Sequence, residues 1–239
     1  CGLCMECVKS CPHDNITLYL RPFCSDKMIK GYDETWKAFI MLVLAMSYSI
    51  VLLGPWGFLK DWANISEKGN FFGFMIYAAT LWFSCLLAFP AIYFIAVKLG
   101  HWWAKSKYKG ETINIVSVKE MFIRYSYTLV PLGLLAWIAF SLPLIMVNGS
   151  YILSALSDPL GRGWNFFGTA HIPWTPVYPE YATYIQVALL LVGLFYGIQN
   201  GLRIARELWQ DGEVALRSMV PIAVLLMAVT IAFMKLFAG

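Results

Sequence analysis

Residues 71–97 read FFGFMIYAATLWFSCLLAFPAIYFIAV, an unbroken run without Asp, Glu, Lys or Arg. Roughly 20 apolar residues at about 1.5 Å of helical rise cross the ~30 Å hydrocarbon core of a bilayer, so this run is long enough to span it. Four further stretches meet the same test, from about Trp36 to Leu59, Tyr127 to Val147, Tyr184 to Ile204 and Met219 to Phe237. Composition agrees: 59% of the 239 residues are hydrophobic, 13% are charged and mean hydropathy is +0.64, far from the balance of a soluble domain. The expected fold class is mainly α, a polytopic membrane bundle of about five transmembrane helices.

Positive charge orients the bundle. Fourteen of the eighteen Lys and Arg fall in the N-terminal segment or in connections on the same side of the membrane, while Lys60, Lys68, Arg162 and Lys235 fall on the other. Such a bias predicts a cytoplasmic N-terminus and an outside C-terminus. It also directs the net charge of +4 toward anionic lipid, so membrane lipid is an expected partner and nucleic acid is not. Ionisable residues are missing from the middle of each predicted span, which argues against a proton relay or ion pathway within this chain alone. Ser47, Ser49, Gly193 and Gly197 are read as close-packing positions.

The connections carry the remaining polar chemistry. His13, His101 and His171 all fall in predicted connections, so a bis-histidine haem within the spans is not expected. Gly100-His101-Trp102-Trp103 and the basic run Lys105 to Lys109 read as an interfacial anchor, with an acidic partner or a quinone headgroup near His101 as the rival reading. Residues Ile113 to Tyr125 predict a short amphipathic helix on the membrane surface. Gln199, Asn200 and Arg203 either line a quinone pocket or satisfy the end of the fourth span. The outer loop 148–182 is rich in Gly, Pro and aromatic residues, and reads either as a docking surface for a periplasmic partner or as an aromatic belt.

Ahead of the spans stands Cys1-Gly-Leu-Cys4-Met-Glu-Cys7-Val-Lys-Ser-Cys11-Pro12. This C-x2-C-x2-C-x3-C-P spacing lets three thiolates converge on a cubane iron–sulfur cluster, the fourth serving a second one. A structural zinc site would call for a second C-x2-C knuckle, and a disulfide pair would leave the third interval and the Cys-Pro ending unexplained. Cys1, Cys4, Cys7 and Cys11 are therefore the expected cofactor and metal ligands. Ile16 to Leu20 predicts a strand beside the cluster, Cys24 is read as a loop cysteine and Cys85 as core packing. The domain division is 1–30, a partial ferredoxin-like iron–sulfur lobe, and 31–239, the five-helix membrane domain. A chain that starts at a ligand reads as the C-terminal piece of a larger one, with the missing half of the lobe upstream or on another subunit.

The motif, its Pro-His-Asp-Asn continuation and the spans resemble the membrane-bound polyferredoxins of the NapH, NosR and CcoG type. That resemblance implies one or two 4Fe-4S clusters, the second shared with sequence outside this chain, and electron relay between a quinone pool or cytoplasmic donor and another redox subunit of a respiratory complex in a bacterial or archaeal cytoplasmic membrane. No catalytic acid, base or nucleophile is implied. A membrane anchor with a structural cluster, or a metal-handling maturation reductase, is the alternative.

Overall fold

A peptide group in hydrocarbon has no water to bond, so an apolar run that enters it must close its hydrogen bonds within a helix. The computed structural model of the protein describes residues 31–53, 57–108 and 116–238, together with Lys9, Ser10 and Pro12. Within them lie α1 (Tyr32–Leu53), the short α2 (Gly57–Trp62) and α3 (Ile65–Lys68), and α4 (Phe71–Phe83), which runs through a π turn (Ser84–Ala88) into α5 (Phe89–Lys105). There follow α6 (Val118–Tyr125), α7 (Leu129–Ser157), α8 (Ala182–Leu208) and α9 (Gly212–Ala238). Five helical stretches among the described residues are long and apolar enough to cross a membrane. The chain is a mainly α, multi-pass membrane protein.

The core forms where α7, α8, α9, α5 and α1 meet. Contacts are densest between α7 and α8, then between α9 and its neighbours α8 and α5. Small residues allow this. A Cβ on Gly193 would stand 3.1 Å from the Leu132 Cα, and one on Gly197 would stand 2.8 Å from the Thr128 carbonyl oxygen. Helix backbones thus approach until the side chain itself is the limit. Aromatic rings close the junction of α1, α5 and α6: the Phe39 ring lies 5.0 Å from Tyr93 and 5.6 Å from Phe122, and the Tyr93 hydroxyl donates to the Phe122 carbonyl at 3.1 Å.

Prolines punctuate the spans, and the backbone answers each differently. Pro90 has no N–H for the Leu86 carbonyl, and its ring crowds that turn. The preceding residues take up the mismatch as a π turn, in which the Phe89 N–H reaches the Ser84 carbonyl, a common way to absorb an irregularity inside a helix. Pro143 lies within α7 and leaves the Ala139 carbonyl without its usual donor. Gln186 of α8 supplies one, its Nε2 lying 2.8 Å from that oxygen in a buried contact.

One end of the bundle is ionic. Lys107, just past α5, bonds Asp211 at 2.8 Å and Glu213 at 2.6 Å, tying α5 to the turn between α8 and α9. Arg124 of α6 bonds Glu207 of α8 at 2.6 Å. The basic run around Lys107 was read as a lipid anchor, but this lysine is engaged by carboxylates of its own chain.

Several expectations need correction. Helix α5 continues through Lys98, His101, Trp102 and Trp103, so His101 is helical where a connection was expected. Met121 and Tyr125 of α6 are fully buried, so this amphipathic helix packs into the bundle and does not lie on the membrane surface. Helix α7 extends through Asn148-Gly149-Ser150 to Ser157, which shortens the outer loop. The expected iron–sulfur lobe is withdrawn from the fold class: among the described residues, no group of three or more His, Cys, Asp or Glu is placed to hold a metal ion. Cys1, Cys4, Cys7, Cys11, His13, Cys24 and the strand expected over Ile16 to Leu20 lie outside the described residues.

Two measurements check this account. Gln186→Leu strands the Ala139 carbonyl and is expected to lower stability by about 1–2 kcal/mol in detergent unfolding. The loss is expected to shrink when Pro143→Ala restores the helical donor, and equal losses in both backgrounds would contradict the assignment. At the ionic end, the hydrogen bond to Asp211 raises the Lys107 pKa, and the hydrogen bond from Lys107 lowers that of Asp211. Their contribution is therefore fully present between the ordinary values of 3.8 and 10.5. It is lost as pH falls through the depressed Asp211 pKa or rises through the elevated Lys107 pKa. Thermal midpoints against pH should show both flanks, and Lys107→Met should flatten them.

Candidate functional site

Helix α7 outlasts its neighbours. It runs parallel to α1, as shown by Ser126 bonding Thr35 at 3.1 Å, Gly133 abutting Leu42, and Phe140 lying 6.4 Å from the Tyr48 ring. On that register α1 ends at Leu53 near Ile145 of α7. On the other flank, the Gln186–Ala139 bond and the Gly193–Leu132 contact place the start of α8 opposite Pro143. Residues 146–157 therefore stand beyond both partners, about 18 Å of helix. Helix α7 as a whole is about 43 Å long against a hydrocarbon core of about 30 Å, so an upright α7 would carry its tip out of the core.

The chain after Ser157 returns along this tip as a strap. Phe166 N–H donates to the Ser157 carbonyl at 3.2 Å, and Ser157 Oγ accepts from Phe167 N–H at 3.1 Å while donating to Asn165 Oδ1 at 2.9 Å. Lower down, Ser154 Oγ donates to the Ala170 carbonyl and Thr169 Oγ1 to the Leu153 carbonyl, each at 2.7 Å. Trp174 Nε1 then donates to the Val147 carbonyl at 2.8 Å, and Val177 N–H to the Met146 carbonyl at 2.7 Å. The strap thus descends turn by turn to the level where α8 begins.

At the apex, Asp158 accepts from Arg162 N–H at 2.9 Å and Gly163 N–H at 2.7 Å. Gly161 and Gly163 take φ of 64° and 79°, which a side chain would disfavour. The Arg162 guanidinium lies 5.7 Å over the Trp164 ring, and that ring is tilted by 58° against Phe166 at 5.1 Å. This ordered backbone displays Tyr151, Ile152, Leu156, Leu160, Phe166 and Phe167 outward, with Phe166 63% and Phe167 71% exposed. Chemically the surface offers apolar and aromatic contact with one cation beside it. It holds no nucleophile–base pair or metal ligand set.

Among the described residues, the other sequence-derived site residues are not brought together into a metal centre. His101 Nε2 lies 3.1 Å from the Val116 carbonyl, which can only accept, so the ring donates there and pins α5 to the entry of α6. That engagement gives no support to the rival quinone reading. Asn200 is buried with its Nδ2 unbonded, on the α8 face that carries Gly197 and Gly201. His171 lies in the strap, and Cys85 is a buried free thiol in the π turn. Because no metal-holding group occurs among the described residues, the 4Fe-4S cofactor, the electron relay and the cytoplasmic cluster lobe are withdrawn. Sequence reasoning passed over Gln186. Its signal was a proline inside one apolar run and an amide near the start of the facing run.

No family model, curated protein or solved structure matches the chain, so the polyferredoxin resemblance gains no support from them.

Asp158→Ala removes the acceptor for two apex N–H groups. Trypsin cleavage after Arg162 is expected to accelerate about tenfold, the factor that follows from about 1.4 kcal/mol of lost local stability, with the thermal midpoint of the bundle unchanged. An unchanged cleavage rate would show that the carboxylate does not order the apex.

Proposed function

We propose that this multi-pass protein is a membrane subunit that docks an extramembrane partner protein on the strapped tip of α7. The observation that carries the reading is the exposed apolar surface built around Phe166 and Phe167, on a helix longer than the hydrocarbon core is thick. Apolar surface outside lipid remains costly unless something covers it, and contiguous patches of that kind mark interaction sites. An aromatic belt, the rival role expected for this loop, is in this reading confined to the loop's end. Tyr178, Tyr181 and Tyr184 are all exposed at the start of α8, the level where the neighbouring helices end.

Hydrogen bonding along the strap also favours docking over a passive cap. Its backbone is held before any partner arrives, so association loses less conformational entropy than the ordering of a free loop would. Trp164 and Arg162 beside the phenylalanines are residue types that concentrate binding energy at interfaces.

Photo-crosslinking in native membranes distinguishes docking from a lipid-facing belt. A benzophenone side chain at Phe167 is expected to yield a discrete protein adduct, whereas the same group at Ile95, on an exposed face of α5, should label lipid. Lipid adducts alone at both positions would overturn the proposal. Phe166→Ser combined with Phe167→Ser should abolish the protein adduct captured from Tyr151 without changing membrane insertion.

A further inference from the structure

A second site lies across the bundle, on the same outer side, where α1 and α4 part. Helix α1 packs on the π turn and on α2, and between these contacts the two walls enclose a slot of about 230 Å³. Ile50 and Val51 of α1 face Ile76 and Leu81 of α4 across it, with Trp62 of α2 closing the outer edge. Thr80 and Ser84 also line the slot, but Thr80 Oγ1 donates to the Ile76 carbonyl and Ser84 Oγ to the Thr80 carbonyl, each at 2.8 Å. Their hydrogens are spent inside their own helix, and Ser47, which also lines the slot, stands among mostly apolar walls.

Val51 and Tyr77 line both this slot and a wider cleft of about 490 Å³ that adjoins it. The wider cleft is bordered by Lys60, Asn64 and Ser66, at the membrane-surface end of the spans. Its rim is built to stay open. Asn64 accepts from Ser66 N–H at 3.1 Å and Glu67 N–H at 3.2 Å to cap α3, while Asn70 Nδ2 donates to the Trp62 carbonyl at 3.1 Å and Asn70 Oδ1 accepts from Gly73 N–H at 2.9 Å. A Cβ on Gly73 would stand 2.9 Å from that same Trp62 carbonyl, so α2 and α4 close on each other there and leave the space to the cleft.

From this order of chemistry, apolar slot, phenol, then ammonium at the surface, we infer that the paired cleft binds one phosphate-bearing membrane lipid. An acyl chain occupies the slot between Val51 and Leu81, the Tyr77 hydroxyl meets the ester region, and the Lys60 ammonium pairs with the phosphate. An ammonium at the interface is a point-charge donor suited to phosphate, and the apolar walls supply the affinity that an exposed ion pair alone does not. Asn64 and Ser66 are consumed in the α3 cap, so Lys60 carries the headgroup contact.

Native mass spectrometry of delipidated protein tests this with phosphatidylglycerol and with diacylglycerol of the same chains. The unaltered protein is expected to retain one phosphatidylglycerol about tenfold more strongly than diacylglycerol. Lys60→Gln should remove that preference, and Val51→Trp or Thr80→Trp, which fill the slot from opposite walls, should reduce retention of both lipids. Circular dichroism and thermal midpoint confirm folding of each variant, and two opposed fillings keep the test decisive if one fails to fold. Unchanged retention in a folded filling variant overturns the site, and an unchanged preference in Lys60→Gln overturns the headgroup contact. Inorganic phosphate alone should not protect Lys60 from acylation, whereas phosphatidylglycerol should; equal protection would replace the lipid with a free phosphate ion and overturn the inference.

Discussion

The Ala139 carbonyl is the point on which the rest of the bundle turns. Pro143 removes its helical donor near the end of the α7 span, at the level where α8 begins, and a buried carbonyl left unsatisfied there costs about 1–3 kcal/mol. Gln186 satisfies it from the neighbouring helix. A defect in one helix is thereby made into a register mark for two, since α8 can answer this carbonyl only when Gly193 lies on Leu132 and Gly197 on Thr128. Once α8 is held in that register its first residue falls opposite Pro143, and everything α7 carries beyond is left without a helical neighbour. The projecting tip is thus a consequence of where one hydrogen bond must be made.

Pro90 meets the same constraint by another route. No facing side chain supplies a donor; the ladder itself widens into the π turn, with the Phe89 N–H returning to Ser84. The first solution joins two helices, while the second changes one helix where α1 packs on it. The slot between α1 and α4 opens beside that altered turn, with Ser84 on its wall. Both candidate binding features of this chain therefore sit next to places where a proline interrupts a span, which is where transmembrane helices depart from ideal geometry.

The five spans were legible because hydrocarbon demands length and apolarity, and both are written in consecutive residues such as 71–97. Helix ends were not, because hydropathy records where lipid ends and says nothing of where a helix ends. Helix α5 runs on through Lys98 to Lys105, and α7 runs through Asn148-Gly149-Ser150, a turn-like tripeptide kept helical with Ser150 Oγ accepting from Thr175 N–H at 3.3 Å. The strap was expected as a loop and even as a docking surface, but its hydrogen bonds join residues up to 31 positions apart, so local patterns held no trace of its path. The cysteine run from Cys1 to Cys11 lies outside the described residues, and the cluster lobe is withdrawn because no group of three or more metal-holding side chains occurs among the described ones.

The strap also bears on how the tip's apolar side chains are read. A loose aromatic loop could fold its rings into the headgroup region, since Trp and Tyr are at home there. This one is fixed by bonds from Ser157 at the top to Met146 at the base, so Phe166 and Phe167 cannot retreat without breaking several of them. Each such bond contributes only about 1 kcal/mol, but retreat would break them together. Rigid backbone and exposed phenylalanine are a costly combination for a cap and an effective one for an interface, where prior order raises affinity and hydrophobic area supplies it. The same reasoning explains why the apex uses left-handed glycines and the Asp158 carboxylate to turn the chain: a tight return leaves the aromatic face of the tip uncovered by its own loop.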